Sequence, residues 1–308
     1  MTTQSVDRPV SEGRPRQQPG VGRQRRGTPA PLARRRTPLR MLGMAAVWVW
    51  VAFNLAIFVW MLLSSLKSDG EVFADPWGLP NVWHFENYVR AWEGSDLGTA
   101  ALNSVFLVAA ASVFTVAIGA LAAYPLSRLQ SRNSNVTLMY FVLGMGVPLQ
   151  SIVVPAYIAM AGLNMTNTLG GLFLLYVGFS LPFTVFLLTG FFRTLPTRLE
   201  EAAALDGCSA FRTFRSVMLP LARPGIVTAL LLNVVSLWNE TLLALIFIID
   251  DGRQTLALAI LGFYGTMLYN NAWGALFAGV CIVVLPMLLL YLWLGKNIMD
   301  GMTLGATK

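Results

Sequence analysis

Long apolar runs alternate with short polar stretches along most of the chain. Six runs, 41–63, 104–124, 136–160, 169–192, 225–249 and 272–294, each reach the roughly 20 residues that an α-helix needs to cross hydrocarbon. The pattern predicts an all-α integral membrane protein with six transmembrane helices. Pro148, Pro155, Pro182 and Pro286 fall inside these runs. Membrane helices tolerate them where neighbouring groups re-satisfy the freed carbonyls. Gly144 and Gly146 point to close helix packing.

The most structured polar interruption is 196–220, PTRLEEAAALDGCSAFRTFRSVMLP. Thr197 followed by Glu200 is a capping-box spacing and places a helix start there. Gly207 suits the left-handed residue that ends such a helix. Ser209 can cap a second helix, whose Phe211, Phe214, Val217 and Met218 share one face, and Pro220 is expected to stop it. The stretch therefore predicts a short helix, a glycine turn and an amphipathic helix.

Charge gives the polar stretches a side. Of 22 Lys and Arg residues, 19 fall in the N-terminal segment, the alternate loops 125–135 and 193–224, and the C-terminal tail. The other loops carry three. By the positive-inside rule both termini and the 196–220 loop face the cytoplasm of a multi-pass protein in the cytoplasmic (inner) membrane. Ten of the 22 lie within residues 1–40, which are rich in Arg, Pro, Gly and Gln. That segment predicts a disordered basic tail, either simply solvated or held to anionic membrane lipid. Since the other cations mostly flank apolar runs, the net charge of +7 is no nucleic-acid footprint. No small-residue cleavage site follows the first run, so it does not read as a signal peptide. The first loop on the other side is acidic, with Asp69, Glu71, Asp75, Glu86, Glu93 and Asp96. Its Trp77, Trp83 and Trp92 suit either a membrane interface or a partner surface.

Candidate chemistry is sparse. The single histidine and the two cysteines, Cys208 and Cys281, form no metal spacing and no plausible disulfide. No cofactor is expected. Glu240 is the one charged residue well inside a span. A charge there costs about 3 kcal/mol on insertion scales and should face protein or water. Asn233, Ser236 and Glu240 share a helical face. Either that face lines a transport path, or Glu240 holds its helix to a neighbour. Asn239 and Trp238 belong to the same stretch, and Trp238 could meet a sugar ring only if the helix were rotated or broken there. Gln150 is a weaker path candidate. No Lys or Arg lies in any span, which disfavours an anionic substrate.

Within the 196–220 loop, Glu201-Ala202-Ala203, Gly207 and Val217-x-Leu219-Pro220 stand at the spacing of the EAA loop of ABC importer permeases. Val217 stands where the family has isoleucine. Residues 103–129, 147–160, 186–196, 236–245 and 300–308 also resemble the carbohydrate-uptake branch, most of all the second permease subunit of maltose-type systems. The resemblance covers roughly 41–308 and implies a type I importer transmembrane domain that moves a sugar or oligosaccharide. It implies as partners a second six-helix permease, a cytoplasmic ABC ATPase dimer and an extracytoplasmic sugar-binding protein. Glu201, Ala202, Ala203, Asp206, Gly207, Leu219 and Pro220 would carry the coupling, and the tail Gly301–Lys308 would also reach the ATPases. Tyr264, Gly265, Tyr269 and Asn270, in the 250–271 loop, would meet the binding protein. A GxxxxGK[ST] phosphate loop is absent from the sequence, so ATP hydrolysis falls to a separate polypeptide. The alternatives are a permease for another solute such as glycerol phosphate, or an ion-coupled secondary transporter, for which Glu240 alone would have to serve.

Overall fold

The computed structural model describes residues 38–94, 96–128 and 132–303, with side chains over 41–94, 96–128 and 132–292. Residues 1–37, which hold most of the expected basic tail, and 304–308 of the C-terminal tail lie outside the described residues. The elements run α1 (Pro38–Ser64), α2 (Asp69–Ala74), α3 (Glu86–Gly94), α4 (Leu97–Arg128), α5 (Arg132–Met145), α6 (Leu149–Gly162) and α7 (Leu169–Thr194). Then follow α8 (Arg198–Leu205), α9 (Ala210–Thr213), a π-helical turn at Phe214–Met218, α10 (Leu219–Leu221), α11 (Arg223–Trp238) and α12 (Leu242–Phe247). A 3₁₀ turn at Asp251–Arg253, α13 (Leu256–Asn270) and α14 (Trp273–Thr303) complete the chain. Contacts divide it into two compact units, Met1–Phe53 and Asn54–Lys308.

Among the described residues, α1, α4, α7 and α14 are single helices long and apolar enough to cross a membrane. The count reaches six when two bent pairs are each taken as one span. One pair is α5 with α6, bent by 101°, where the sequence predicts a straight span over 136–160. The bend falls at Gly146–Pro148, where Pro148 is extended (φ −66°, ψ 134°). The second pair joins Ala210–Leu221 to α11 at 75°. The expected fifth span, 225–249, is broken at Asn239–Thr241 between α11 and α12. The expected connection 250–271 is largely α13, capped at its start by Thr255 and ended by Asn271 in the left-handed conformation (φ 55°).

α4 and α7 form the central pair of the second unit. Small residues on α4 let the backbones approach closely. A Cβ on Gly119 would stand 2.7 Å from Thr184 Cγ2. Two apolar cores lie along this pair. One joins Leu107, Ala111, Leu172 and Tyr176 to α12, α13 and α14. The other joins Val116, Ala120, Ala123, Leu188 and Phe192 to Phe214, Met218 and Ala229. A polar layer separates them, where Asn233 of α11 donates through Nδ2 to Thr184 Oγ1 at 2.9 Å.

Candidate functional site

The 196–220 loop is the expected helix, turn and helix, but it is held differently. α8 begins at Arg198 as the spacing predicts, yet Thr197 is itself helical (φ −65°, ψ −28°) and its side chain makes no cap bond. Glu200 does not fold back onto it. It accepts from Arg128 Nε at 2.9 Å, at the end of α4. Arg128 also donates through Nη2 to Leu195 O at 3.1 Å, and the two side chains are only 14% and 19% exposed. Gly207 takes φ 75°, and nothing lies within 4 Å of where its Cβ would be, so the turn needs glycine for its backbone alone. Ser209 does cap α9, accepting from Arg212 N at 3.4 Å.

The face expected to pack inward is only partly buried. Phe214 and Met218 enter the second core and Val217 is half-buried, but Phe211 is 64% exposed. The buried stripe runs through Thr213, Phe214, Val217 and Met218 instead, and Phe211 lies off it. Pro220 does not end the helical run. It directly follows the π turn within a continuous run, and the break comes at Ala222. Of the expected coupling residues, Ala203 is buried and Leu219 half-buried, whereas Glu201, Ala202, Asp206, Gly207 and Pro220 are exposed. Leu205, 90% exposed, and Phe211 add a bare apolar surface beside them.

A cavity of about 460 Å³ opens at the level of the polar layer. Leu149, Tyr176, Phe179, Ser180, Phe183 and Leu232 line it together with Asn233, Ser236, Leu237, Glu240 and Leu243. Three of the predicted path residues thus meet there, Asn233, Ser236 and Glu240. Trp238 does not. It is buried in the first core and its Nε1 donates to Val283 O at 3.4 Å. The helix is broken beside it, but on the side that turns the indole toward α14. Asn239 is exposed and turned back to Val235 O. Gln150 is exposed outside the lining, and its neighbour Leu149 takes the place in the wall.

Glu240 sits where α11 stops. Its Oε1 accepts from Leu243 N at 2.7 Å, and its Oε2 accepts from Ala244 N at 3.3 Å and from Tyr176 Oη at 2.9 Å. The carboxylate therefore caps α12, stabilised by the partial positive charge of a helix N-terminus, and ties α12 to α7. Tyr176 and Arg128 escape a reading of the sequence. The first is one aromatic among many in an apolar run, and the second is legible only as a unit of flanking charge. Tyr264, Gly265, Tyr269 and Asn270 lie together on exposed stretches of α13, with Tyr269 at 90% exposure. The loop leading to α13 is pinned: Asn103 Nδ2 donates to Gly252 O and Gln254 O, and Asn167 Oδ1 accepts from Ile249 N and Asp250 N.

Residues 115–298 match the family model described as binding-protein-dependent transport system inner membrane component. The chain is 35% identical over 264 residues to a diacetylchitobiose uptake system permease protein of Streptomyces coelicolor, covering 86% of this chain and 87% of that one. It is 32% identical over 258 residues to a trehalose transport system permease protein of Mycobacterium tuberculosis, covering 84% and 94%. It is 31% identical over 277 residues to a melibiose/raffinose/stachyose import permease protein of Bacillus subtilis, covering 90% and 99%. The fold is similar to a chain in the crystal structure of a bacterial ABC transporter involved in the import of the acidic polysaccharide alginate. The TM-score is 0.72 at 20% identity, over 86% of this chain and 98% of that one.

Proposed function

Because this chain belongs to the family of binding-protein-dependent transport system inner membrane components, we propose that it is the permease subunit of an ATP-driven importer of a neutral sugar or oligosaccharide. The observation that carries this reading is the 196–220 loop. α8 offers Glu201, Ala202, Leu205 and Asp206 to solvent, next to a glycine turn and the bare Phe211 ring. Small alanines let a partner groove approach the α8 backbone, and the apolar side chains give it something to bury. The partner is a cytoplasmic ATPase dimer, which supplies the hydrolysis this chain does not perform. Both termini and this loop face the cytoplasm, as the loop charges indicate. A second six-helix permease completes the path, and α13 meets an extracytoplasmic binding protein on the other side.

Named relatives handle diacetylchitobiose, trehalose and raffinose-type sugars. The cavity is consistent with such a cargo. Its walls are mostly apolar, with one carboxylate, one amide, one phenol and two serine hydroxyls and no Lys or Arg, which suits a neutral polyol better than a phosphate ester. A cavity of this volume lies within the usual range for small-molecule sites. Glu240 is already the acceptor of three hydrogen bonds. Those bonds give Glu240 a structural task within this chain.

Gly207→Val tests the coupling. A β-branched residue at φ 75° strains the turn by about 1–2 kcal/mol without a clash elsewhere. We expect lost uptake and lost binding-protein-stimulated ATPase in a complex that still inserts and co-purifies. Undiminished stimulation would overturn the role of the loop. Titration of the cognate binding protein with glycosides identifies the sugar.

A further inference from the structure

The segment between α1 and α3 is short, acidic and rich in aromatics, and its carboxylates are tied up in hydrogen bonds within the protein. Ser68 caps α2. Lys67 is fully buried and its Nζ donates to Asp75 O at 2.6 Å. Asp75 Oδ1 accepts from Gly78 N at 3.0 Å. Glu71 Oε1 accepts from both Asn81 N and Asn81 Nδ2 at 2.7 Å. Asp69 Oδ1 accepts from Gly274 N at 2.9 Å. With its carboxylates engaged in this way, the segment presents a bare apolar face of Phe73, Trp77, Leu79, Val82, Trp83 and Phe85. Trp77 is 84% exposed and Phe73 62%.

Two contacts set the level of this face against the membrane-crossing helices. Trp60 Nε1 of α1 donates to Pro76 O at 2.8 Å, and the Trp60 and Trp77 rings lie 6.0 Å apart. Trp60 precedes the end of α1 at Ser64 by little more than one turn, so Trp77 lies beside the last turns of that helix. Phe73 packs edge-on to Trp273, the first residue of α14, at 5.2 Å. The face is therefore level with the terminal turns of two spans. A bilayer places its headgroup boundary there, about 5–8 Å thick on each side, and Trp is enriched in that layer.

We propose that residues 72–85 form an interfacial flap whose apolar face inserts into the lipid boundary around the ends of α1 and α14. The occupant is lipid because the face lies beside the last turns of a membrane-crossing helix, α1, whose own Val59 and Leu62 are exposed apolar side chains. The two acids of α2, Asp69 and Glu71, are each engaged by amide donors of the protein. An amphipathic layer of this kind fixes the height of both helix ends in the bilayer. The inference rests on the membrane-spanning reading, and the experiment separates the two.

Nitroxide labels are placed singly at Trp77→Cys, Leu79→Cys and Val82→Cys, with Leu55→Cys and Val113→Cys, exposed and nearer mid-span, as controls on α1 and α4. Cys208 and Cys281 are replaced by Ser, and the full chain is reconstituted in liposomes with its co-purifying subunits. Oxygen should collide with the flap labels several-fold more than a water-soluble nickel chelate does, at a depth shallower than the controls. Free access of the chelate overturns the flap in favour of a water-facing or binding-protein surface. Protection from both reagents overturns it in favour of a protein partner. Controls that are themselves open to the chelate overturn the membrane reading instead. In unlabelled protein, brominated phosphatidylcholine should quench less of the tryptophan fluorescence of the W77F/W83F double variant than of the unaltered chain. An equal quenched share would refute the proposal without recourse to labels.

Discussion

In the 196–220 loop Glu200 reaches away from its own helix to Arg128 on α4, whereas at the break after α11 Glu240 folds back onto the helix that follows it. Both are glutamates next to a helix start, and the solvent around them decides the difference. At α8 the first amides can be served by water, so the carboxylate is free to take a charged partner from a distant part of the chain. At α12 the first amides belong to Leu243 and Ala244, which are buried, so water does not replace a missing acceptor. The carboxylate supplies it, and in doing so it makes an interruption of the span tolerable.

The largest effect should come from removing that acceptor. Glu240→Leu leaves two amides and the Tyr176 hydroxyl unpaired, at about 1–3 kcal/mol for each buried group. A loss of several kcal/mol should appear as a sharp fall in the melting temperature of the detergent-purified chain, and Glu240→Gln, which keeps one acceptor, should lose less. An unchanged melt for Glu240→Leu would break the contrast outright. Next comes Arg128→Ala, expected to cost about 1–2 kcal/mol at a partly buried, charge-assisted contact. Its readout is amide exchange in α8, which should quicken about tenfold. The paired exchange Arg128→Glu with Glu200→Arg should recover part of that protection, though not the bond to Leu195 O. Tyr176→Phe removes one of three donors to Glu240 and should cost about 1 kcal/mol in the same melt. Smallest of all, Thr197→Ala should be neutral to within about 0.5 kcal/mol because no cap bond exists to lose. Ser209→Ala, a few residues on, should cost about 1 kcal/mol. Equal effects at the two positions would mean that the capping box forms after all.

The spans were legible because hydrocarbon thickness imposes a length that apolar runs must meet, and α1, α4, α7 and α14 meet it with single helices. The elbow between α5 and α6 was not, because proline and glycine in an apolar run read the same whether the helix kinks slightly or turns by 101°. The 196–220 loop was legible at Gly207 and Ser209, where a local backbone demand selects the residue. It was misread at Thr197 and Phe211, where a distant cation takes Glu200 and the buried stripe runs through Thr213 and Phe214 instead. The cavity was legible in Asn233, Ser236 and Glu240 through helical spacing alone. Spacing also put Trp238 off that face, and the structure has it turned toward α14, whereas nothing in the sequence tells that Leu149 rather than Gln150 enters the wall. Tyr176 had no signal, since its partnership with Glu240 spans 64 positions of sequence.

The elbow at Gly146–Pro148 also gives α6 a mechanical character. Its 14 residues make a rod about 21 Å long, pivoted at the end where Leu149 lines the cavity. Part-way along, the Tyr157 ring bears on Phe247 of α12 at 5.6 Å. A rotation of about 10° at the elbow would carry the far end by about 4 Å and Tyr157 by about 2 Å, while Leu149 hardly travels. The fulcrum stays at the cavity wall and the throw is delivered to α12, the short helix whose first amides Glu240 holds.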